Sequence, residues 1–557
     1  MSEATGWHPL RGGLIFLGIA HVVYSCFAFP NPDEAYYWLW GQHLDWSYYD
    51  HPAFHAWVQG GFAALLGTSR GVVRLPTLFS NGLFLWSYYQ IARDLYGQQA
   101  RLAWGLIVAS LLASPLYFIF LTLAWPDQWL LAFSLLSARW GIRFFDHYRQ
   151  GSDTVWIPEL RVKSSRGAEG AEGAEGAEGV ENKACPKRLE QVKGDSRLLY
   201  GAGLALGLAC LCKYTAIFVG LAAIATLLSD RQLRPLLREW RLYGAGAIAA
   251  LAALPILIWN YQNDWLSFQY YLTRSIDGGG TTVKPLEVLS FWGLSILIVS
   301  PFLSWAFLQV LRSRPLQQWQ SSCWPFTVWL FALSTGGLST VGLFSTALYY
   351  WNILAYVLLV AWLPTYFVSI GSGRGHAALW RHLRLWQWSQ GFGCLVATLL
   401  VVNYCVLPIS ALFGPDGDPD GRMLFGWDNL GPTVQAVQRE QTVVAGTPPL
   451  LLTTDYRSAS ALAFALNDPD VLAVSDRIDQ FDIWAKRRPL AGRSAVILSD
   501  DWHPLTDAVS QQFEQMCPVA TVPVQRWGVP IKTYYLHFGT GFDPLPMTPM
   551  GNRTGER

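Results

Sequence analysis

Charge is scarce in this chain. Asp, Glu, Lys and Arg supply 14% of its 557 residues, where an average soluble domain carries about a quarter. A wholly soluble protein is thereby excluded. Charge of one sign is missing as well: the net charge is +1, so nothing global draws the chain to nucleic acid, and no nucleic-acid partner is expected. There is no Gly-rich phosphate loop followed by Lys and no dinucleotide fingerprint after a strand, which argues against ATP or nucleotide-sugar chemistry. Of the eight cysteines, Cys26, Cys210, Cys212, Cys394 and Cys405 fall in or beside apolar segments and Cys517 is nearly alone in a polar region. Neither a disulfide framework nor zinc-ligand spacing emerges.

What is abundant is apolar sequence. Hydrophobic residues make up 52% of the chain, and runs near the roughly 20 residues needed to cross a bilayer recur from Leu14 to Leu412. The first, Gly12 to Phe29, lacks a small-residue cleavage site and reads as a retained helix. Helices are expected near 12–29, 71–92, 102–122, 126–145, 198–212, 213–228, 243–259, 288–311, 324–343, 347–370 and 389–410. That makes about eleven crossings, with boundaries uncertain by several residues. The polar joints at 93–101, 146–197, 229–242, 312–323 and 371–388 hold most of the interhelical Lys and Arg, which assigns them to the cytoplasm. A break at Lys213 keeps Arg231, Arg234, Arg238 and Arg241 on that side. The loops at 30–70, 122–126, 260–287 and 344–349, the Lys213 turn and everything after 411 then share the outer face.

The chain divides into four parts: an N-terminal membrane part (1–145), a linker (146–197), a second membrane part (198–410) and a C-terminal domain (411–557). The linker contains the low-complexity run GAEGAEGAEGAEG, which cannot build a core and is expected to be disordered and cytoplasmic. After 411, apolar runs at Leu450–Thr453, Val471–Val474 and Ala495–Leu498 alternate with helical patterns at Ser458–Leu466 and Leu505–Phe513. A small extramembrane α/β domain is expected there. The fold class is therefore a polytopic α-helical membrane protein with such a domain at its end.

The loop after the first helix reads NPDEAYYWLWGQHLDWSYYDHP and sets Asp33, Glu34, Asp45, Asp50 and His51 among aromatics such as Tyr36. One reading is an interfacial belt, with Tyr and Trp at headgroup level. The other is a catalytic loop, in which an apolar wall tunes a carboxylate toward base chemistry and aromatic faces stack on a sugar. Lys213, followed by Tyr214, is an ionisable residue at the membrane edge; it either snorkels or binds an anion. Asp127 in WPDQW is either an ordinary helix-start acid or a ligand-binding group. Arg274 and Lys284, in the outer loop with Gly278, Gly279 and Gly280, could add phosphate contacts. His51 is either a hydrogen-bonding loop element or a metal or proton-transfer group, so a divalent metal ion stays an open question and no cofactor is assigned. Asp416, Asp418 and Asp420 imitate half of a calcium loop, but Trp427 occupies the position that needs Glu, and a solvated turn is expected.

The strings DEAYYW and YYDHP behind a first membrane helix resemble the first outer loop of glycosyltransferase-C enzymes. The similar branch is the bacterial one related to dolichyl-phosphate-mannose protein mannosyltransferases and the lipid A aminoarabinose transferase. The resemblance continues in AWPDQWLLAF, GLALGLACLCKYTAIFVG, YYWNILAYVLL, TTDYRSASALAFAL and QFDIWAKRRPLAGRSAVILSDDW, and covers most of the chain outside the linker. It implies an inverting transfer of a sugar from a polyprenyl-phosphate donor to a lipid, glycan or protein hydroxyl at the outer face of a bacterial inner membrane. It implies that Asp33 is the catalytic carboxylate, with Glu34, Tyr36, Asp50, His51, Asp127, Lys213, Tyr214, Arg274, Tyr349, Tyr350 and Asn352 as substrate-binding candidates; two neighbouring acids in one small site seldom both act as bases, so Glu34 reads as a structural or orienting partner. Trp125 departs from the family pattern, which has a small residue before the Pro-Asp pair. The alternatives from other classes are a transporter or flippase and a non-catalytic glycan-assembly subunit.

Overall fold

The computed structural model describes residues 8–152, 195–275, 283–313, 321–369, 379–414, 416–475, 478–486 and 488–544. The Gly-Ala-Glu run and the three glycines near 279 lie outside the described residues.

The membrane part begins with α1 (His8–Phe27), α2 (Pro32–Gln42), α3 (Phe54–Leu66) and α4 (Arg70–Tyr96). It continues through α5 (Ala100–Ala113), α6 (Pro115–Thr122), α7 (Pro126–Ser152), α8 (Ser196–Cys210), α9 (Ile217–Ser229) and α10 (Trp240–Ala252). Then come α11 (Leu254–Gln262), α12 (Leu266–Ser275), α13 (Pro285–Val299), α14 (Pro301–Ser313), α15 (Cys323–Phe344) and α16 (Ile353–Phe367). A two-residue β1 (Val368–Ser369) and β2 (Leu379–Trp380) lead into α17 (Leu383–Val401). Each of the eleven apolar stretches carries helix, but several are broken by proline. The helix stops at Ser114 before Pro115, at Ala253 before Pro255 and at Ser300 before Pro301, because proline cannot donate to the preceding turn. Among the described residues, three helices are long and apolar enough to cross unbroken, or seven spans if each bent pair counts once. Two shorter apolar helices, Ser196–Cys210 and Tyr214–Ser229, stand beside these. The protein is a multi-pass membrane protein with a mostly helical fold.

The chain does break at Lys213: α8 ends at Cys210, and a 3-10 turn at Tyr214–Ala216 starts α9. The segment 30–70, expected to be loop, holds two helices. Asn31 caps α2 through its side chain, Pro32 occupies the first turn, and Glu34 closes a capping box; this is a strong helix-start signature. α2 and α3 cross where a Cβ on Gly41 would lie 2.5 Å from the Gly60 amide nitrogen. Only paired glycines permit that approach, and it sets the angle at which α2 presents its first turn.

The C-terminal domain adds α18 (Pro419–Arg422), α19 (Trp427–Ala445), β3 (Leu450–Thr453), α20 (Tyr456–Leu466), β4 (Leu472–Ala473), α21 (Gln480–Ala485), β5 (Ala495–Asp500), β6 (Gln515–Arg526) and β7 (Val529–Thr540). Its sheet runs β4-β3-β5-β7-β6. β3 is parallel to β4 and β5, whereas β5–β7 and β6–β7 are antiparallel. The aromatic face of α2 joins this domain's core: Trp38, Tyr36 and Leu39 pack in one apolar cluster with Phe464, Phe481 and Leu462. α2 is therefore the shared wall between helical bundle and domain.

Candidate active site

Two cavities meet at the first turn of α2. One, of about 410 Å³, is lined by Asp33, Tyr36, Tyr37, Asp50, His51, Asp127, Lys213, Tyr214 and Tyr271, with Ile217, Phe218, Leu338 and Val341 on its apolar side. The other, of about 390 Å³, runs along Leu116, Ile119, Phe120, Ile298 and Leu400 and reaches Tyr349, Asp420 and Arg457. Asp33, Trp125, Tyr350 and Tyr456 line both. A half-buried carboxylate at the junction of two ligand-sized spaces can face a group in each.

Asp33 owes its position to the capped start of α2, where its amide donates to Asn31 Oδ1 at 3.0 Å. Its neighbour Glu34 turns the other way. Glu34 is fully buried and accepts from Arg74 Nε at 2.9 Å and Nη2 at 2.6 Å, from the Ala124 amide at 2.8 Å and from the Asn31 amide at 2.8 Å. Arg74 spends its remaining donors on the carbonyls of Ser25, Ala28 and Phe29. Glu34 lines neither cavity, and with both oxygens engaged it cannot take a substrate. Its place is the structural one of the two roles open to it, and not that of a binding residue: it locks α2 to α4 and to the segment before Pro126.

Tyr36 donates to Asp50 Oδ2 at 2.9 Å. Tyr271, from α12, donates to the Asp50 carbonyl and lies 3.2 Å from His51 Nδ1. The YYDHP turn is thus held from two sides in the first cavity. Lys213 Nζ donates to both oxygens of Asp127, at 2.9 and 3.0 Å, and stands 5.8 Å from the centre of the Tyr350 ring. Two residues expected to bind ligand separately are therefore one buried ion pair facing the first cavity. Tyr214 is fixed by Ser267, 3.0 Å away.

Asn352 departs from expectation. It is fully buried, donates to Thr335 Oγ1 and Tyr356 Oη at 3.0 Å each and accepts from Ser334 at 3.1 Å. It lines neither cavity; its amide ties α15 to α16, which corrects its assignment as a substrate contact. Tyr349 reaches only the second cavity, its ring 5.6 Å from that of Tyr350. The side chain of Arg274 lies outside the described residues. Among the described residues no three His, Cys, Asp or Glu side chains are grouped to hold a metal. In the Asp-rich turn, Asp418 caps Gly421 and accepts from Asn403, and Asp420 pairs with Arg457 at 2.8 Å.

Sequence reasoning brought the C-terminal domain to the outer side with the site but named none of its residues. Gln480 accepts from the Tyr49 amide at 2.9 Å, and its own amide donates to Tyr36 Oη at 3.3 Å. Phe481 stacks on Tyr36 at 5.7 Å, and the Tyr456 ring lies 5.2 Å from the same Tyr36. Arg457 bonds Asp455 at 2.9 Å and His503 at 2.7 Å. Tyr456 and Arg457 fall in the string TTDYRSASALAFAL; their adjacency to an N-cap Asp455 was the available signal.

Known proteins resemble this chain at two levels. Residues 50–156 and 188–259 match the family described as dolichyl-phosphate-mannose-protein mannosyltransferase. A stretch of 114 residues is 38% identical to the lipopolysaccharide core galacturonosyltransferase RgtB of Rhizobium johnstonii, covering 20% of this chain and 23% of that relative's length. In fold, the chain is similar to the crystal structure of ArnT from Cupriavidus metallidurans bound to undecaprenyl phosphate, with a TM-score of 0.55 and 15% identity over 96% of this chain and 98% of that one. The apo state of the same ArnT gives a TM-score of 0.53 at 14% identity, with the same coverage.

Proposed function

We infer that this chain, whose residues 50–156 and 188–259 match the dolichyl-phosphate-mannose-protein mannosyltransferase family, is an inverting glycosyltransferase that moves a sugar from a polyprenyl-phosphate donor to an acceptor hydroxyl. The observation that carries the reading is the convergence of two cavities on Asp33. A transfer between two lipid-accessible substrates needs two such spaces and one base where they meet.

In this reading the donor occupies the first cavity, with its phosphate toward Lys213 and its polyprenyl tail along Ile217, Phe218, Leu338 and Val341. The acceptor enters by the second. Asp33 takes the acceptor hydroxyl proton, the oxygen attacks the anomeric carbon, and the bond from that carbon to the phosphate oxygen breaks. The electron pair leaves with the phosphate, and configuration inverts in one displacement. Lys213 stabilises the charge growing on the leaving phosphate, and Asp127 aims the ammonium. Tyr37, Trp125 and Tyr350 offer ring faces to the sugar. The Lys and Arg distribution supports a site on the outer side of the membrane, and the undecaprenyl phosphate that ArnT binds and the lipopolysaccharide core in the name of RgtB support a lipid-linked donor and a lipid acceptor.

The test is transfer of radiolabelled sugar from a panel of polyprenyl-phosphate sugars in membranes carrying wild-type protein or Asp33→Asn, followed by extraction of acceptor lipids. Label moved only by wild type establishes the reaction and names the donor. A folded wild-type protein that consumes no donor overturns it.

A further inference from the structure

The β6–β7 hairpin turns at Arg526-Trp527-Gly528-Val529, with Arg526 paired to Val529. Both central residues have positive φ, 51° for Trp527 and 78° for Gly528. Such two-residue turns favour Asn-Gly, and a bulky side chain in the left-handed region is strained. The same Trp527 is 73% exposed, and its ring meets the Arg526 guanidinium at 5.2 Å. One residue thus violates both the backbone preference of its turn and the solvent preference of its ring. Two local rules broken at one position point to a role that the isolated fold does not need.

The surroundings identify that role. Arg526 also lies 5.4 Å from the centre of the Phe425 ring, and Arg422 donates both to the Ile531 carbonyl near the start of β7 and to Ser410, each at 3.1 Å. Ser410 lies just past the end of the membrane-crossing stretch Leu383–Val406. Along that stretch Leu395, Leu399 and Val402 are exposed, an apolar stripe at helical spacing of the kind that suits lipid. Just beyond its end, Leu412 and Phe413 are 60% and 84% exposed. The apolar surface therefore continues from this helix to the residues after it, and Arg422 ties the start of β7, next to the hairpin turn, to the same segment.

We propose that Trp527, together with Leu412 and Phe413, forms a foot that inserts into the headgroup region of the bilayer and holds the C-terminal domain against the membrane. The occupant of this surface is lipid. Trp at this depth places its ring among acyl chains and glycerol while its N–H stays hydrated, and Arg526 beside it meets lipid phosphates. The proposal is independent of the transfer reaction; it rests on the protein being a membrane protein and on the hairpin's position.

The full chain, in nanodiscs of phosphatidylcholine and phosphatidylglycerol, can report this through an environment-sensitive fluorescent amino acid encoded at position 527. Parallel reporters belong at Phe413 and at Gln515, the far end of β6, roughly 35 Å along the strand from the tip. Lipids spin-labelled near the headgroup should quench 527 and 413 at least about threefold more than they quench 515, and aqueous iodide should show the reverse order. Trp527→Asn, which suits the turn, should keep or raise the melting temperature in detergent; a clear loss of stability would mean that Trp527 serves the fold and would overturn the proposal. If 527 responds to iodide as 515 does, the foot is wrong. If 413 alone is quenched by lipid, the hairpin does not belong to it, and the proposal fails.

Discussion

Arg74 reaches across from α4 to clasp both oxygens of Glu34, at 2.9 and 2.6 Å, with 3% and 0% of the two side chains exposed. Two adjacent acids, Asp33 and Glu34, thereby receive opposite assignments. One faces the cavities at the start of α2; the other is spent on keeping α2 where it is. Because Glu34 also accepts the Ala124 amide, the same clasp fixes the approach to Asp127. The geometry between the candidate base and the Asp127–Lys213 pair depends on a residue that lines neither cavity.

Removing Glu34 should therefore unfold rather than merely slow the protein. Glu34→Ala leaves a buried guanidinium without its anion, a loss of about 3–5 kcal/mol for pairs of this kind, and the melting temperature in detergent should drop sharply. A variant that melts like wild type but shows a raised donor KM would return Glu34 to the binding site.

Asp33→Asn should show the opposite pattern. The substitution keeps volume and leaves the Asn31 cap in place, so melting and membrane insertion stay near wild type. Turnover should fall by about 10²–10⁴ with loss of the general base. Initial rates at saturating donor and acceptor measure it, and near-normal turnover would remove Asp33 from its role.

Lys213 and Asp127 should behave as a coupled pair. Lys213→Met strands a buried carboxylate, so it should lower stability as well as donor use. Asp127→Asn combined with Lys213→Met should regain stability, with a coupling of about 0.5–3 kcal/mol in the cycle. Donor use should not return, because the charge that meets the phosphate is still absent. Recovery of donor use in the double variant would mean that the lysine serves packing alone.

Much of this was readable from residues, and the failures have physical causes. Long apolar runs announce helices, and Lys213 announces the break between α8 and α9 because an ammonium in an apolar run must find an edge or a partner. The short strands β3 and β5 were visible as apolar runs between turn residues. α2 was hidden because dense aromatics suit an interface as well as a helix, although Asn31, Pro32 and Glu34 spell a helix start. The long hairpin was hidden by Pro518 and Pro523, which weaken any strand reading; β6 tolerates them because it is the edge of the sheet. No periodicity could join Glu34 to Arg74, Lys213 to Asp127 or Tyr36 to Gln480, since those contacts depend on how distant elements pack.

His43 should make the docking of the C-terminal domain sensitive to pH. Its Nε2 lies 2.9 Å from the Pro469 carbonyl, and its ring lies 4.7 Å from that of Trp484. Burial pulls its pKa below the ordinary value, outweighing the opposing effect of the Pro469 bond. A group with a lowered folded pKa contributes fully above its free value, about 6.5, and loses that contribution as pH falls toward the folded one. Hydrogen exchange in α2 and in the segment around Pro469 should therefore accelerate between pH 7.5 and pH 5.5, after correction for the intrinsic rate. His43→Gln should flatten the trend, and an unchanged slope in that variant would place the sensitivity elsewhere.

Tyr456 tests whether the C-terminal domain takes part in choosing the acceptor. It stands at the head of α20, in the wall of both cavities, with its ring against Tyr36; the adjacent Arg457 lines only the second. If the acceptor uses that second space, Tyr456→Ala should disturb both substrates, whereas Arg457→Lys should act on the acceptor alone. Lys preserves the charge beside Asp455 and Asp420 while removing the planar fork that bonds three partners at once. Acceptor KM should rise by about tenfold in Arg457→Lys with donor KM unchanged, the signature of binding lost equally in ground and transition states. A shift confined to donor KM would exchange the occupants of the two cavities and leave Asp33 at their junction. A variant with neither constant altered would confine Arg457 to holding the domain together, and acceptor choice would then rest on the apolar wall from Leu116 to Leu400.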